Sequence, residues 1–211
     1  MSMPDPSLKP RKSPVQARSA ATVDALHTAT IQVLTREGLV RCTTSRVAMR
    51  AGISVGSLYQ YYPNRDALLA AVLEKHLNGV LAVVEQTCRA HRGKPVAEFI
   101  PALVSDFLNV KLRDPLESRA LYAIAGERGG ARLVTRIQNA IATALTDTLT
   151  SAPDVRTGDA RITAVMMLTA LAGPVRLVLE GASPPGFEEN LETELVRLLS
   201  AYVQADSIAS K

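Results

Sequence analysis

The stretch from Thr43 to Pro63 carries start and stop signals for two short helices, and it constrains the fold more than any other segment. Thr43 or Thr44 can cap the first helix, which ends where Gly52 can adopt a left-handed conformation. Ser54 can cap the second, and Pro63 stops it because proline disfavours a helical conformation in the residue before it. Two short helices joined by so tight a turn are the geometry of a helix-turn-helix.

The side chains of this segment divide into an inward and an outward set. The apolar or small residues spaced to face inward, onto a preceding helix, are Val47, Ala48, Ile53 and Leu58. Apolar spacing predicts that preceding helix from Arg18 to about Glu37, with Gly38 after its end. The outward residues of the second short helix are then Val55, Gly56, Ser57, Tyr59, Gln60 and Tyr61. A helix presented in this way enters the major groove of DNA, where its N-terminal residues reach base edges.

The outward residue types suit contacts with DNA. Gln60 can read an adenine, and Val55 can contact a thymine methyl group. Three hydroxyl side chains suit phosphate oxygens, which fix the register without reading sequence. They are Ser57, Tyr59 and Tyr61. The alternative is a surface helical hairpin with no role in DNA binding.

A longer pattern around these helices resembles the tetracycline-repressor (TetR) family of bacterial regulators. The residues that carry it run Thr43-Thr44-x-x-Val47-Ala48-x-x-Ala51-Gly52-Ile53-Ser54-x-Gly56-Ser57-Leu58-Tyr59-x-Tyr61-Tyr62-Pro63-Asn64-Arg65-x-x-Leu68-Leu69. The resemblance extends from residue 18 to about 75 and is only architectural beyond that. It implies a three-helix DNA-binding domain, a two-fold dimer and a C-terminal domain that binds a small effector.

The resemblance also assigns contacts residue by residue. The family's phosphate and base contacts fall on Thr44, Ser45, Arg46, Val55, Gly56, Ser57, Tyr59, Gln60 and Tyr61. Arg65 stands where the family commonly has Lys, so it keeps the charge for a phosphate contact with altered geometry. Tyr62 stands where Phe or a similar residue is usual, which adds a hydroxyl group.

The rest of the chain has helical spacing broken by Gly- and Pro-containing segments, without a convincing strand. We therefore predict an all-α fold of about nine helices: an N-terminal three-helix helix-turn-helix domain and a C-terminal helical ligand-binding and dimerisation domain. The expected divisions are a disordered basic arm over residues 1–17, a DNA-binding domain over 18–65, and an effector-binding and dimerisation domain over 66–211. A break or kink is expected at Gly173-Pro174, which either shapes a pocket or is merely tolerated.

Charge is concentrated at the N-terminal end. Residues 1–66 hold nine Lys/Arg against four Asp/Glu, although the whole chain carries only +4. A basic head suits a polyanion such as double-stranded DNA, and the alternative is an ordinary basic surface. The arm's basic residues either reach a minor groove or form a solvated tail. These residues are Lys9, Arg11, Lys12 and Arg18.

Two apolar stripes mark the last two predicted helices. The first comprises Ile162, Val165, Met166, Thr169, Ala172, Arg176 and Leu179. The second comprises Leu191, Leu195, Leu198, Leu199 and Tyr202. A stripe alone indicates only a core-facing surface, whereas the resemblance implies that this helix pair joins a second copy in a homodimer.

The resemblance also implies an effector cavity within the C-terminal helices. Its candidate lining residues, although such residues are more often plain core than pocket, are Phe99, Leu103, Phe107, Leu121, Tyr122, Ile137 and Met166. The scarcity of aromatic residues and the lack of a clear buried charge cluster favour a small apolar or amphipathic effector.

Other function classes find little support. The sequence has no Walker loop, nucleophile-elbow or zinc-protease motif, and its three His residues lack a second ligand at metal spacing, so we expect no enzyme, metal site or cofactor. Cys42 and Cys88 are too few for a disulfide framework, and sensing of oxidants would require a lowered thiol pKa. With no apolar N-terminal leader and no run of about 18 apolar residues, we expect a cytoplasmic protein without membrane spans.

The leading hypothesis is a homodimeric repressor that a small effector releases from its operator. One alternative is a regulator of the same fold that has no small-molecule ligand or acts as an activator. Another is a helical enzyme or partner-binding protein with a vestigial DNA-binding head.

Overall fold

The computed structural model describes residues 17–126, 129–156 and 158–209. Within these ranges the chain forms nine α-helices and no strand, which confirms the all-α prediction. The helices are α1 (Ala17–Glu37), α2 (Thr44–Ala51), α3 (Val55–Tyr61), α4 (Arg65–His91), α5 (Val96–Leu112), α6 (Pro115–Ala125), α7 (Gly130–Ser151), α8 (Ala160–Leu179) and α9 (Phe187–Ala209). Predictions for the arm over residues 1–16 lie outside the described residues.

The chain divides into two compact units. The first, which we call the head, comprises Met1–His76 and Arg119–Val134. The second, which we call the body, comprises Leu77–Ser118 and Thr135–Lys211. The head therefore includes residues beyond the predicted 18–65 segment, since the start of α4 and parts of α6 and α7 belong to it.

Three short or moderate helices build the core of the head. α1 packs against α2, and α2 packs against α3. The inward prediction is confirmed for Val47, Ala48 and Leu58, which are fully buried, whereas Ile53 in the turn is only half-buried. From α1 the buried side chains include Leu26, Ala29, Val33 and Leu34. The helices α2 and α3 are each too short to be stable alone. Their position is fixed because they bury apolar side chains in a common core with α1.

The body is held by α5, α8 and α9, which pack on one another. α5 buries Phe99, Leu103 and Phe107 on one face at a spacing of four residues. Asp154, from the segment between α7 and α8, accepts from the amide of Val96 at 3.1 and 3.2 Å. This carboxylate supplies a cap for α5, whose N-cap position is a proline without a side-chain acceptor.

α8 continues through Pro174 to Leu179, so a break at Gly173-Pro174 does not occur, while the expected kink stays a prediction. The residues of α8 that were predicted to form one stripe do not all have the same exposure. Ile162, Val165, Met166, Thr169 and Arg176 are exposed. Leu179 is buried instead, along with Ala164, Met167, Leu168 and Leu171. α8 has apolar residues around most of its circumference, so the sequence pattern did not reveal which side faces the core.

Among the described helices, α4 and α8 are long and apolar enough to cross a membrane by length and composition alone. The sequence interpretation expected no such segment because charged residues interrupt every long apolar run. Core helices of soluble proteins meet the same criterion. Both helices bury one side within this chain, as Leu73 of α4 and Leu171 of α8 illustrate.

Candidate nucleic-acid interface

α2 begins at a well-defined cap. Thr43 has extended backbone geometry, and its hydroxyl oxygen accepts from the amide of Arg46 at 3.4 Å. Thr44, the first helical residue, shares a 3.3 Å hydrogen bond with the hydroxyl of Tyr59 on α3. This contact ties the N-terminus of α2 to the outer face of α3, so two of the predicted DNA-binding residues lie together.

The turn between the two helices has the predicted chemistry. Gly52 adopts a left-handed conformation with φ of +70°, and its amide donates to the carbonyl of Met49 at 3.2 Å. The amide of Ile53 donates to the carbonyl of Ala48 at 3.0 Å. These bonds satisfy the last carbonyls of α2 and set the direction in which α3 leaves.

α3 is capped by Ser54. Its hydroxyl oxygen accepts from the amide of Ser57 at 3.0 Å and lies 2.8 Å from the Ser57 hydroxyl. With Leu58 turned into the core, Gly56, Tyr59 and Gln60 are exposed. The other predicted contacts on α3, which are half-buried, are Val55, Ser57 and Tyr61. The helix thus presents a short outward face of small and hydrogen-bonding residues.

Basic residues lie on α2 and in the loop before it. Arg46 of α2 forms an ion pair with Glu37 at the end of α1. Arg50 donates from Nε to Oε1 of Gln32 at 2.6 Å, and Arg41 is exposed in the loop before α2. The sequence interpretation did not list Arg41 or Arg50 as candidate contacts. The signal that could have identified them is their position just before and at the end of the first short helix.

Arg65, the first residue of α4, lies against the loop between α1 and α2. Its Nε donates to the carbonyl of Cys42 and its Nη2 to the carbonyl of Leu39, both at 2.7 Å. Its Nη1 lies 3.5 Å from Oδ1 of Asp66, and the side chain is 30% exposed. The residue predicted to contact phosphate therefore also holds two carbonyls of its own chain.

The hydroxyl of Tyr62 has a partner inside the head. It lies 2.6 Å from Nε2 of His27 on α1, and both side chains are buried. Burial lowers the pKa of His27 to about 4, with a further lowering from Lys75 and a partial offset from Asp24. Burial likewise raises the pKa of Tyr62 to about 12. The pair is therefore neutral at neutral pH and links α1 to the C-terminal end of α3.

The residues predicted to line an effector cavity are distributed over both units of the chain, and their role stays a prediction. Phe99, Leu103, Phe107 and Ile137 are buried in the body. Leu121, which is buried, and Tyr122, which is half-buried, belong to the head. Met166 is 50% exposed on α8.

Two grooves of the body lie elsewhere. One of about 400 Å³, between α4 and α7, is lined by polar residues that include Glu85, Arg89 and Asp147. The other, of about 410 Å³, is mostly apolar and lies along α9 and the segment before it, with Phe187 and Leu195 in its wall. None of the seven residues predicted for the effector cavity lines either groove.

The described part of the chain offers little for metal or thiol chemistry. No group of three or more His, Cys, Asp or Glu side chains among those residues could hold a metal ion. Cys42 and Cys88 are both buried and unpaired by a disulfide. Burial raises the pKa of the Cys42 thiol to about 11 and also raises that of Cys88. Since the thiolate is the reactive form, neither position favours oxidation.

Comparison with known proteins matches two family models to complementary parts of the chain. Residues 26–72 match the model described as bacterial regulatory proteins of the tetR family. Residues 95–202, about half of the chain, match the model of the tetracyclin repressor-like C-terminal domain. The chain belongs to the TetR family. It is accordingly a DNA-binding transcriptional regulator, in a family whose members are generally not enzymes.

Solved structures share the fold of this TetR-family chain at low sequence identity. A transcriptional regulator from Rhodococcus sp. Rha1 has a TM-score of 0.70 at 23% identity, with 88% of this chain and 97% of that one covered. A TetR family transcription regulator from Marinobacter aquaeolei gives 0.65 at 18%, covering 88% and 97%. SmeT, the repressor of the Stenotrophomonas maltophilia multidrug efflux pump SmeDEF, gives 0.67 at 19%, covering 85% and 88%.

Sequence relatives match over shorter stretches. Nucleoid occlusion factor SlmA of Haemophilus ducreyi is 26% identical over 120 residues, which is 56% of either chain. SlmA of Actinobacillus pleuropneumoniae is 34% identical over 74 residues, or 35% of either chain. The matched part thus spans about half, or less, of the length of these relatives.

Proposed function

We propose that this regulator is a cytoplasmic homodimeric repressor that recognises a pseudo-palindromic operator through α2 and α3. The observation that carries the proposal is the outward face of α3, which is rigidly capped and bonded to α2 yet presents Gly56, Tyr59 and Gln60 to solvent. Such a face fits the major groove, which is wide enough for one α-helix. The net positive charge of residues 1–66 adds an attraction to phosphates that does not depend on sequence.

The contacts divide into two roles. Gln60 and Val55 read base edges, while Gly56 lets the backbone of α3 approach the DNA. The phosphate contacts come from the hydroxyl and guanidinium groups of Thr44, Ser45, Arg46, Ser57, Tyr59 and Tyr61. The ion pair between Arg46 and Glu37 keeps the guanidinium near the N-terminus of α2, from which it can exchange the carboxylate for a phosphate.

The dimer is supported by the outer face of α8. Ile162, Val165 and Met166 are 60%, 41% and 50% exposed, and the adjacent Val165 and Met166 lie about one helical turn after Ile162. On α9, Leu198 is 53% exposed. Apolar side chains this exposed in a row are typical of surfaces covered by a partner. A two-fold pair of heads then matches two half-sites about one DNA turn apart.

An effector site in the body is supported by the match of residues 95–202, most of which lie in the body, to the tetracyclin repressor-like C-terminal model. We propose a small apolar or amphipathic molecule, which would favour one spacing of the two heads over another. The alternative is a regulator that has no such ligand or that activates transcription. A thermal-shift screen tests for such a ligand, since a true effector stabilises the folded protein by RT ln(1 + [L]/Kd) and so raises the unfolding temperature with the logarithm of its concentration.

The test of operator reading compares wild type with Gln60→Ala. Duplexes bound from a random pool are sequenced for each protein at physiological salt. We expect a palindromic consensus for wild type and loss of preference at one position in each half-site for Gln60→Ala, worth about 1–3 kcal/mol. An unchanged consensus would remove Gln60 from base reading. A wild-type protein that selects no consensus would refute sequence-specific recognition.

A further inference from the structure

The guanidinium of Arg65 bridges two carbonyls of the loop that precedes α2. The acceptors, Leu39 and Cys42, are three residues apart, and each bond is 2.7 Å long. The amide of Cys42 also donates to the carbonyl of Leu39 at 3.2 Å, so the loop closes on itself at the same place. Two short bonds from one planar group fix both the position and the orientation of this turn.

This turn leads directly into the residues proposed to bind DNA. Thr43, next to Cys42, caps α2 and bonds to the amide of Arg46. The side chain of Thr44 contacts Tyr59 of α3. A shift of the turn would therefore move the cap, the first turn of α2 and its link to α3 together.

The other end of the bridge is also fixed. Asn64 caps α4 by accepting from the amide of Ala67 at 2.8 Å, and Ala67, Leu68 and Leu69 are buried in the head. Arg65 thus stands on a well-anchored helix end. Its side chain is only 30% exposed.

Lysine cannot reproduce this arrangement. The guanidinium presents its donors in a rigid planar fork, whereas an ammonium group is a compact point charge on a flexible stem. A lysine at this position would keep the charge, but its donors all sit on one nitrogen, so it lacks the separate Nε and Nη2 that reach Cys42 and Leu39. Charge and geometry can therefore be separated by experiment.

We propose that Arg65 is a positioning residue for operator binding, which sets the start of α2 through Leu39 and Cys42 rather than through a phosphate contact of its own. The proposal rests on the proposed DNA-binding function. It predicts that the geometry of Arg65 matters more than its charge. A direct phosphate contact predicts the reverse, because Lys would then substitute well.

The test measures affinity for the selected duplex over a range of salt concentrations, for wild type, Arg65→Lys and Arg65→Ala. We expect both variants to lose about tenfold in affinity while the slope of log affinity against log salt stays that of wild type. If Arg65→Lys binds as wild type, or if Arg65→Ala lowers the slope by about 1, Arg65 contacts phosphate directly and the proposal fails.

A matched variant separates positioning from stability. Val33→Ala removes buried volume from α1 without touching the turn, so it lowers stability but should leave the affinity of the folded protein unchanged. Affinities are compared per folded molecule, well below the unfolding temperature. An equal affinity loss in Val33→Ala would mean that Arg65 acts only through stability, which overturns the proposal.

A further measurement tests the bridging role of Arg65 separately from DNA binding. Amide hydrogen exchange at residues 40–44 should be faster in Arg65→Lys than in wild type, since the turn loses its second anchor. If wild type selects no duplex, the DNA-binding proposal fails, but the exchange rates still show whether Arg65 holds the turn. Unchanged exchange at these amides would refute the bridging role.

Discussion

His27 and Tyr62 show how one pair of side chains can join two helices of the head. The Tyr62 hydroxyl, an addition relative to the Phe that the family usually has, lies 2.6 Å from Nε2 of His27. Nδ1 of the same ring has no hydrogen-bond partner within the described part of the chain. A buried imidazole with one satisfied nitrogen is stable only while it is uncharged, because a buried charge without a partner is costly.

This pair predicts a pH dependence of stability. The pKa of His27 is about 4 in the folded protein and near 6.5 in the unfolded chain, so the unfolded state binds the proton first as pH falls. We expect the unfolding free energy of wild type to decrease from about pH 6.5 down to about pH 4, by at most about 1.4 kcal/mol per pH unit from this group. Urea unfolding at pH 7.5, 6.0 and 5.0 measures it.

The matched variant for that prediction is His27→Gln, which keeps a polar side chain but cannot take up a proton. Its stability should depend less on pH over the same range. The nearby ion pair of Asp24 and Lys75, at 2.7 Å, is unchanged in the variant and so cancels in the comparison. Parallel pH curves for the two proteins would mean that His27 is not the responsible group.

At the scale of elements, the caps and the turn determine how α3 is presented. Gly52 needs its left-handed conformation to end α2, whereas Gly56 lies in a helix and has no such need. A Cβ added at Gly56 would come no closer than 3.7 Å to another atom, the Ser54 hydroxyl oxygen. The fold therefore tolerates a side chain there, and a requirement for glycine would come from the DNA.

Gly56→Ala is expected to weaken operator binding without destabilising the protein. Replacing a helical glycine by alanine adds about 0.5–1 kcal/mol of stability, while the new methyl group would stand between α3 and the bases. Gly79→Ala is the control, because Gly79 is an exposed glycine of α4 with nothing within 4 Å of an added Cβ. Both should raise the unfolding temperature slightly, and only Gly56→Ala should lose affinity, about tenfold. Equal affinities would show that the backbone at Gly56 does not approach DNA closely.

The helix boundaries of the head could be predicted from sequence because they depend on local chemistry. Thr43, Gly52 and Ser54 act through their own backbone or that of neighbours within a few residues. The partners of His27 and Arg65 could not be predicted in this way. The partner of His27 lies 35 residues away in the chain, and the two partners of Arg65 lie 23 and 26 residues away. Contacts at such distances depend on how the helices pack, which the apolar pattern does not specify to the level of individual side chains.

The body was harder to predict for a related reason. α8 is apolar on several sides, so its pattern identified a helix but grouped the buried Leu179 with the exposed Ile162 and Met166. The candidate cavity residues on α5 were identified as apolar and are buried, yet the same pattern serves a core and a pocket equally. Periodicity therefore locates an amphipathic helix better than it orients a helix that is apolar all round.

At the scale of the whole molecule, the proposed operator recognition needs two copies of the chain. A single α3 contacts only a few base pairs, so two-fold pairing supplies the length of sequence that a regulator must distinguish in a genome. The exposed row of Ile162, Val165 and Met166 on α8 is the surface proposed for that pairing.

Val165→Glu should convert the dimer into a monomer at micromolar concentration. A carboxylate placed opposite its two-fold mate would be desolvated without a partner, which disfavours the dimer. Size-exclusion chromatography with light scattering measures the mass. Leu116→Glu is the control, since Leu116 is 69% exposed on α6, outside the proposed face. A variant that remains dimeric would place the interface elsewhere.

The affinity of the full-length protein for three duplexes at physiological salt tests the central claim most directly. The duplexes are the selected palindrome, the same duplex with one half-site scrambled, and random DNA of equal length. We expect the palindrome to bind at least about 1,000-fold more tightly than random DNA, with the half-scrambled duplex between them. Three affinities within a few-fold of one another would contradict sequence-specific recognition by a dimer.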